Sequence, residues 1–408
     1  MLLLFNGNLQ FDYEELIMAQ TKKFLNNNRY GIFFFVGLII RMLINMPFGT
    51  EELADPFTYL FYIVNYKTAG FVPRALLGSV VSVFFRFITI RIFYAVALVM
   101  TLALITAASV LINRVFRNIS EGRTALFLIL CTFLFLSNGN YYIFDAYHFG
   151  IYDIYFILLT LATVCFAKNK ILRWLVPVNC LICMALYEGY IFAFMAAVGI
   201  VLLHNCFKEK SVSAWVVLML TCILCVSSFV YFYVLFRTDY WNMLNYGSYG
   251  ELTEALRQHT NMEISNLGSE VYYYDSSMTL FTDGRWNVKE VIESTRPVRQ
   301  ECLPTALIFC VLTLSVWIRS LRNEEDKRFK AVWLLCSLAP LTSLPFLVFS
   351  EQMKYISYFV FAQMILIMYF SKEKTVQLSL MTAERKINEK PFLICIPWGL
   401  MLLFRSIW

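Results

Sequence analysis

The stretch NYKTAGFVPRALLGS, residues 65–79, sets Arg74 directly after Pro73 at the mouth of an apolar run that continues to about residue 90. As an ordinary membrane-crossing helix the run would be interrupted by Arg74, Arg86 and Arg91. Ionised side chains inside hydrocarbon are costly, so these residues pose a choice between a span and a segment held at one surface. The remainder of the chain decides between them.

Of the 408 residues, 59% are apolar and 17% aromatic, while only 15% are charged. A soluble domain carries about 25% charged residues, so the composition predicts an integral membrane protein. Apolar runs close to the ~17–25 residues of a membrane-crossing helix recur from end to end. The expected fold is therefore all-α: a polytopic transmembrane helical bundle forming one integral-membrane domain over 1–408. Its spans are expected at about 30–47, 92–112, 124–138, 149–167, 171–187, 189–206, 213–236, 302–319, 331–349, 354–371 and 391–406, about eleven in all. The opening MLLLFNGNLQFDYEEL has neither a basic region nor a small-residue cleavage site, so the first span is expected to act as the signal.

The net charge of +6 is concentrated in short loops, such as Lys22/Lys23/Arg29, Arg114/Arg117/Arg123, Lys168/Lys170/Arg173 and Lys208/Lys210. That distribution is a topology signal, and it predicts cytoplasmic loops and no nucleic-acid partner. If 76–90 also crossed the membrane, the loop around Arg114–Arg123 would fall outside and every later loop would invert. Residues 70–90 are thus expected to lie on the outer face as an amphipathic or re-entrant helix. The N-terminus would be cytoplasmic, the location a bacterial inner membrane, and the partners membrane lipids. The first external loop would be 48–91 and a larger one 237–301.

Most of the eleven cysteines lie within apolar runs, where a thiol acts as a small hydrophobe. Cys180/Cys183 and Cys222/Cys225 have CxxC spacing without a second ligand pair, so no metal site is expected.

Ionisable residues near the spans are the functional candidates. In FGTEELADPFTY, Glu51, Glu52 and Asp55 follow the first span; a carboxylate there could serve as a general base or hold a divalent cation against a pyrophosphate. Asp55 before Pro56 fits a helix cap equally well. The stretch SNGNYYIFDAYHFGIYDIY places Asp145, His148 and Asp153 among tyrosines that also suit an interfacial belt. Glu188, in CMALYEGYIFAF, is either a buried catalytic carboxylate or the tip of an external hairpin. His204, beside Lys208, is read as interfacial. Arg237 and Asp239 follow the seventh span, and Arg285, Arg296 and Arg299 close the large loop. With Arg74, these arginine forks suit phosphate oxygens.

Taken together, the long acid-bearing first external loop, the amphipathic segment and the second large loop resemble two groups of bacterial envelope proteins. Integral-membrane glycosyltransferases of the C-type fold are similar in the first loop, and the resemblance implies Glu51, Glu52 or Asp55 as base and a polyprenyl-phosphate sugar as donor. The loop has no adjacent or alternating pair of aspartates, so metal use in that family's manner is not implied. Capsule and O-antigen polymerases of the Wzy type are similar in length and in the arginines of a large external loop; Arg237, Arg285, Arg296 and Arg299 match those. Both resemblances imply glycosyl transfer or polymerisation of polyprenyl-diphosphate-linked sugars, alongside other polysaccharide-assembly proteins; no cofactor is assigned, and a divalent cation is left open. The alternative is a transporter or flippase for a lipid-linked oligosaccharide or another solute, which requires a charged path across the bundle.

Overall fold

The computed structural model describes residues 2–45, 56–72, 74–118, 149–235, 245–246, 249–262, 310–311, 313–339, 352–371, 373 and 376. The fold is all-α: among the described residues there is no strand, only an isolated bridge between Ile88 and Thr260.

The first helix, Leu2–Asn45, is longer than the span expected from about residue 30, reaching back to the second residue. It packs along Ile90–Asn118. At their crossing, a Cβ on Gly31 would fall 2.7 Å from that of Asn113, so the backbones approach only because position 31 has no side chain. The Asn113 carboxamide accepts from the Gly31 amide at 3.2 Å and donates to Asn28 Oδ1 at 2.8 Å. Tyr30 stacks on Phe116 one turn away, with ring centroids 4.2 Å apart.

Ile90–Asn118 packs next on Asp153–Ala167, which packs on Val176–Leu186, itself paired with Val212–Phe229. Met195–Glu209 joins the last of these to Lys327–Leu338 and Gln352–Phe370. Ser211 caps Val212–Phe229 by accepting from the Ala214 amide, and Asp326 caps Lys327–Leu338 by accepting from that of Arg328. The expected helix over 189–206 is broken, with Tyr190–Ala193 and Met195–Glu209 meeting at Phe194.

Among the described residues, two helical stretches, Ile90–Arg117 and Val212–Phe232, are long and apolar enough to cross a membrane. Asp153–Ala167, Leu172–Leu186 and Phe361–Phe370 are apolar but shorter. The expected spans at 124–138 and 391–406 lie outside the described residues, as do parts of 302–319 and 331–349.

The stretch that follows Arg74 forms only Leu76–Phe84, nine residues ending in extended backbone at Phe85. At ~1.5 Å per residue this is about 14 Å, under half of a ~30 Å hydrocarbon layer. It packs on Pro56–Ile63, where Gly78 allows the contact: a Cβ there would sit 2.0 Å from the Val64 carbonyl oxygen. Tyr66–Ala69 completes the group, capped by Asn65, whose side chain accepts from the Thr68 amide at 2.9 Å.

Part of the second large loop docks on this group. The Asn245 amide and side chain donate to the carbonyls of Ala69, Lys67 and Thr68. Ile88 donates its amide to His259 at 2.7 Å, and the Thr260 hydroxyl donates to the Ile88 carbonyl at 2.6 Å. The bundle therefore has two ends: one carries these loop segments, and the other carries Arg114, Lys168, Lys208 and Lys330.

Candidate functional site

Arg74 lies at the loop end, with φ at 61°, in the left-handed region that a residue with a Cβ enters at a cost of about 1–2 kcal/mol. What holds it there is visible. Its Nε and Nη2 donate to the two carboxylate oxygens of Glu188 at 3.1 and 2.7 Å, a two-pronged ion pair across 114 residues of chain. The side chains are 13% and 4% exposed, so water screens the pair little.

Glu188 occupies the turn between Val176–Leu186 and Tyr190–Ala193. The expectation of a hairpin tip was right about the turn, but the tip is enclosed within the protein. Arg74 was expected to offer its fork to phosphate oxygens; here the fork is engaged by Glu188. Aromatic rings surround the guanidinium: Tyr187 at 4.8 Å, Tyr152 at 5.5 Å and Phe61 at 5.9 Å from ring centroid to Cζ. Cation and ring faces attract one another most strongly where water is excluded.

The aromatic cluster continues inward. Tyr187 lies beside Phe156, and both lie against Tyr358, the last at 6.3 and 5.5 Å between centroids. The Tyr358 hydroxyl donates to Asp153 Oδ1. Asp153, at the start of Asp153–Ala167, is fully buried. A second buried chain flanks it: Tyr155 donates to the Tyr62 hydroxyl at 2.9 Å, and Tyr62 donates to the Gly150 carbonyl at 2.5 Å. Tyr66, beside Phe71, has its phenol pushed up to about 12 by burial.

Three of the residues singled out in the sequence, Arg74, Asp153 and Glu188, thus meet in one aromatic-walled region. Asp55, Glu52, Asp145, His148, Arg237, Asp239, Arg285, Arg296 and Arg299 lie outside the described residues. Sequence reasoning missed Tyr187 and Tyr358 as site components. Tyr187 adjoins Glu188, a signal that was available; Tyr358 sits in an apolar helix 205 residues beyond Asp153 and carries no local sign.

One other expectation is corrected. His204 is enclosed at the basic end by Phe329, Trp333, Tyr369 and Phe370, instead of facing an interface. At the same end Arg173 is buried and pairs with Glu209 at 2.8 Å. No family model, characterised protein or solved structure matches the chain, so the site has to be interpreted from its own chemistry.

Proposed function

We propose that this chain is a multi-span protein of a bacterial cytoplasmic membrane, with about eleven spans and a cytoplasmic N-terminus. It would transfer or polymerise polyprenyl-diphosphate-linked sugars at the outer face. The membrane reading is supported by outward apolar faces: Val216, Met219, Ile223 and Val226 on one helix, and Val99 and Val110 on another, are all exposed. Water would oppose so continuous an apolar surface, whereas lipid accepts it.

The observation that carries the activity is the enclosed Arg74–Glu188 pair within aromatic rings, at the end where the two loop segments dock. Tyr152 and Tyr187 are buried against the Arg74 guanidinium, so the neutralised pair and these rings brace the floor beneath the docked loop segments, where the sugar would bind. Asp153 with Tyr358 is the buried couple able to accept a proton. In the transfer, the acceptor hydroxyl oxygen bonds to the anomeric carbon while the bond from that carbon to the diphosphate oxygen breaks. The hydroxyl proton passes to a carboxylate, and the lipid diphosphate departs. Asp55, Glu52 and Asp145 remain the candidate bases from the sequence, and Asp153 is added; Glu188, also a catalytic candidate from the sequence, is set aside because Arg74 occupies both its oxygens. Arg237, Asp239, His148, Arg285, Arg296 and Arg299 would orient the lipid-linked sugar, and electrostatic stabilisation of the leaving diphosphate would supply much of the rate.

Gene deletion followed by analysis of lipid-linked glycans tests this. Accumulated single repeat units support polymerisation, a repeat unit lacking one sugar supports single-sugar transfer, and unchanged glycans sink both. The second reading, a transporter or flippase, is favoured by one observation: the carboxyl groups of Asp153 and Glu188 are interior, as groups lining a path would be. It predicts complete lipid-linked units retained on the cytoplasmic leaflet after deletion.

A further inference from the structure

Leu76–Phe84 contains no charged residue, and its exposed side chains are all apolar: Val80 at 50%, Val83 at 78% and Phe84 at 75% exposure. They recur at the i, i+3, i+4 spacing of a single helix stripe. The other stripe, Leu77, Gly78 and Val81, is buried. Both hydroxyl groups of the helix are engaged within the protein. Ser79 donates to the Ala75 carbonyl at 2.7 Å and accepts from the Tyr66 amide at 2.8 Å, while Ser82 donates to the Ser79 carbonyl at 2.8 Å. A helix lying on a membrane surface turns a charged or polar face to water. This one has no such face to turn. The nearest cations in the chain, Arg74 and Arg86, stand outside the helix at either end, and Arg74 is held by Glu188.

Helix lengths supply the depth. Next to Lys170 at the basic end, Leu172–Leu175 and Val176–Leu186 contribute four and eleven residues, about 25 Å at ~2.0 and ~1.5 Å per residue. The 15 residues of Asp153–Ala167 give ~22 Å. With the basic end at the inner boundary, both fall short of a ~30 Å hydrocarbon layer by about 5–8 Å, and tilt widens the deficit. Ile90–Asn118, with 29 residues and a length of ~43 Å, exceeds that layer. Glu188, just beyond Leu186, therefore lies below the outer boundary, whereas Arg91, at the start of the long helix, reaches it. Leu76–Phe84 packs on Val176–Leu186 and connects these two levels, with Arg74 on Glu188 at its start and Arg86 past its end. We infer that Leu76–Phe84 is immersed in the outer leaflet, its Val80, Val83 and Phe84 face covered by lipid acyl chains and the exposed Arg86 and Arg91 at the level of the lipid phosphates. The inference rests on the membrane reading above and not on glycosyl transfer. It decides between the surface and re-entrant placements that the sequence left open, and it sets the Arg74–Glu188 pair beneath the headgroups.

Depth-resolved fluorescence quenching of the full chain in phosphatidylethanolamine/phosphatidylglycerol vesicles tests this. A fluorescent amino acid replaces Val83, Phe84 or Arg86 singly, or Ile223, which is 56% exposed on a helix read as a span. The quenchers are a nitroxide near the top of the lipid acyl chain, a nitroxide on the lipid headgroup, and iodide in the water. Labels at Val83 and Phe84 should lose most fluorescence to the acyl nitroxide and least to iodide, and the label at Arg86 should lose most to the headgroup nitroxide. Greater loss to iodide or to the headgroup nitroxide at both Val83 and Phe84 places the helix on the surface and overturns the inference. Little loss to any quencher at both positions overturns it too, because a second copy of the chain or another protein would then cover the face. Both side chains are mostly exposed, so replacing them leaves the packed stripe intact. Ile223 separates the two readings: acyl quenching there without acyl quenching at Val83 and Phe84 sinks the immersed helix alone, whereas strong iodide quenching at Ile223 sinks the membrane reading itself.

Discussion

Removing the Glu188 charge tests the central ion pair most directly. The carboxylate accepts two charge-assisted hydrogen bonds from Arg74, each contributing roughly 1.5–3 kcal/mol in a shielded setting. Truncation to alanine also strands a guanidinium with little water access, and breaking a buried pair by removing one partner costs about 3–5 kcal/mol. If Arg74 then leaves its left-handed conformation, about 1–2 kcal/mol returns. Glu188→Ala should therefore destabilise the protein by roughly 1–4 kcal/mol. Glu188→Gln, which keeps one acceptor, should cost about 2 kcal/mol. The assay is a double-mutant cycle with Arg74→Gln, Glu188→Gln and both together, each unfolded in mixed micelles by increasing SDS. The double variant should be no less stable than the worse single one, giving a coupling of at least about 2 kcal/mol. Additive single effects, with coupling below about 0.5 kcal/mol, would refute the claim that the pair acts as a unit.

Other consequences are open to simpler measurements. Gly78→Ala drives a Cβ against the Val64 carbonyl and should destabilise by about 3 kcal/mol, read as a lower SDS unfolding midpoint; an unchanged midpoint contradicts the close packing. Asn113→Leu removes the bonds to Gly31 and Asn28 and should cost about 1–2 kcal/mol in the same assay, with Asn113→Gln unable to restore them. The Asp326 carboxyl is held near 2, below its usual 3.8, by hydrogen bonds from the Arg328 side chain and amide. Its capping contribution is therefore complete above pH 3.8 and lost as pH falls through about 2. A carboxyl NMR titration should show that midpoint, and Arg328→Gln should move it back up; an unmoved midpoint assigns the shift elsewhere.

The helical class was legible from composition and from the recurrence of apolar runs, because burying or immersing so much apolar surface leaves few alternatives to helices. That the stretch after Arg74 forms no full span was also legible, in agreement with the short helix Leu76–Phe84; its sidedness, inferred from loop charge, belongs to the proposed topology. Helix boundaries were less so. Continuous apolar residues hid the break at Phe194, where hydropathy does not change although the backbone leaves helical angles. The length of the first helix escaped too, since its early polar residues read as loop when only hydropathy is weighed.

At the site, sequence could nominate Arg74, Asp153 and Glu188, because charge within an apolar context is conspicuous. It could not pair Arg74 with Glu188, since nothing local connects residues 114 apart. Nor could it indicate that Arg74 would adopt positive φ, a conformation that tertiary contacts impose against the local preference. Tyr358 was hidden because a tyrosine in an apolar helix is ordinary until its hydroxyl is seen to reach a carboxylate.

The span between Arg74 and Glu188 also sets a clock. A ribosome adding ~5–20 residues per second needs roughly 6–23 s to extend the chain from Arg74 to Glu188, a separation of 114 residues. Throughout that interval the emerged arginine has no Glu188, and its backbone has no reason to remain in the left-handed region. The left-handed turn at Arg74 is thus a late event that waits on a distant part of the chain. Substitutions at either residue should therefore reduce the amount of protein that survives cellular quality control, and specific activity must be judged per surviving molecule.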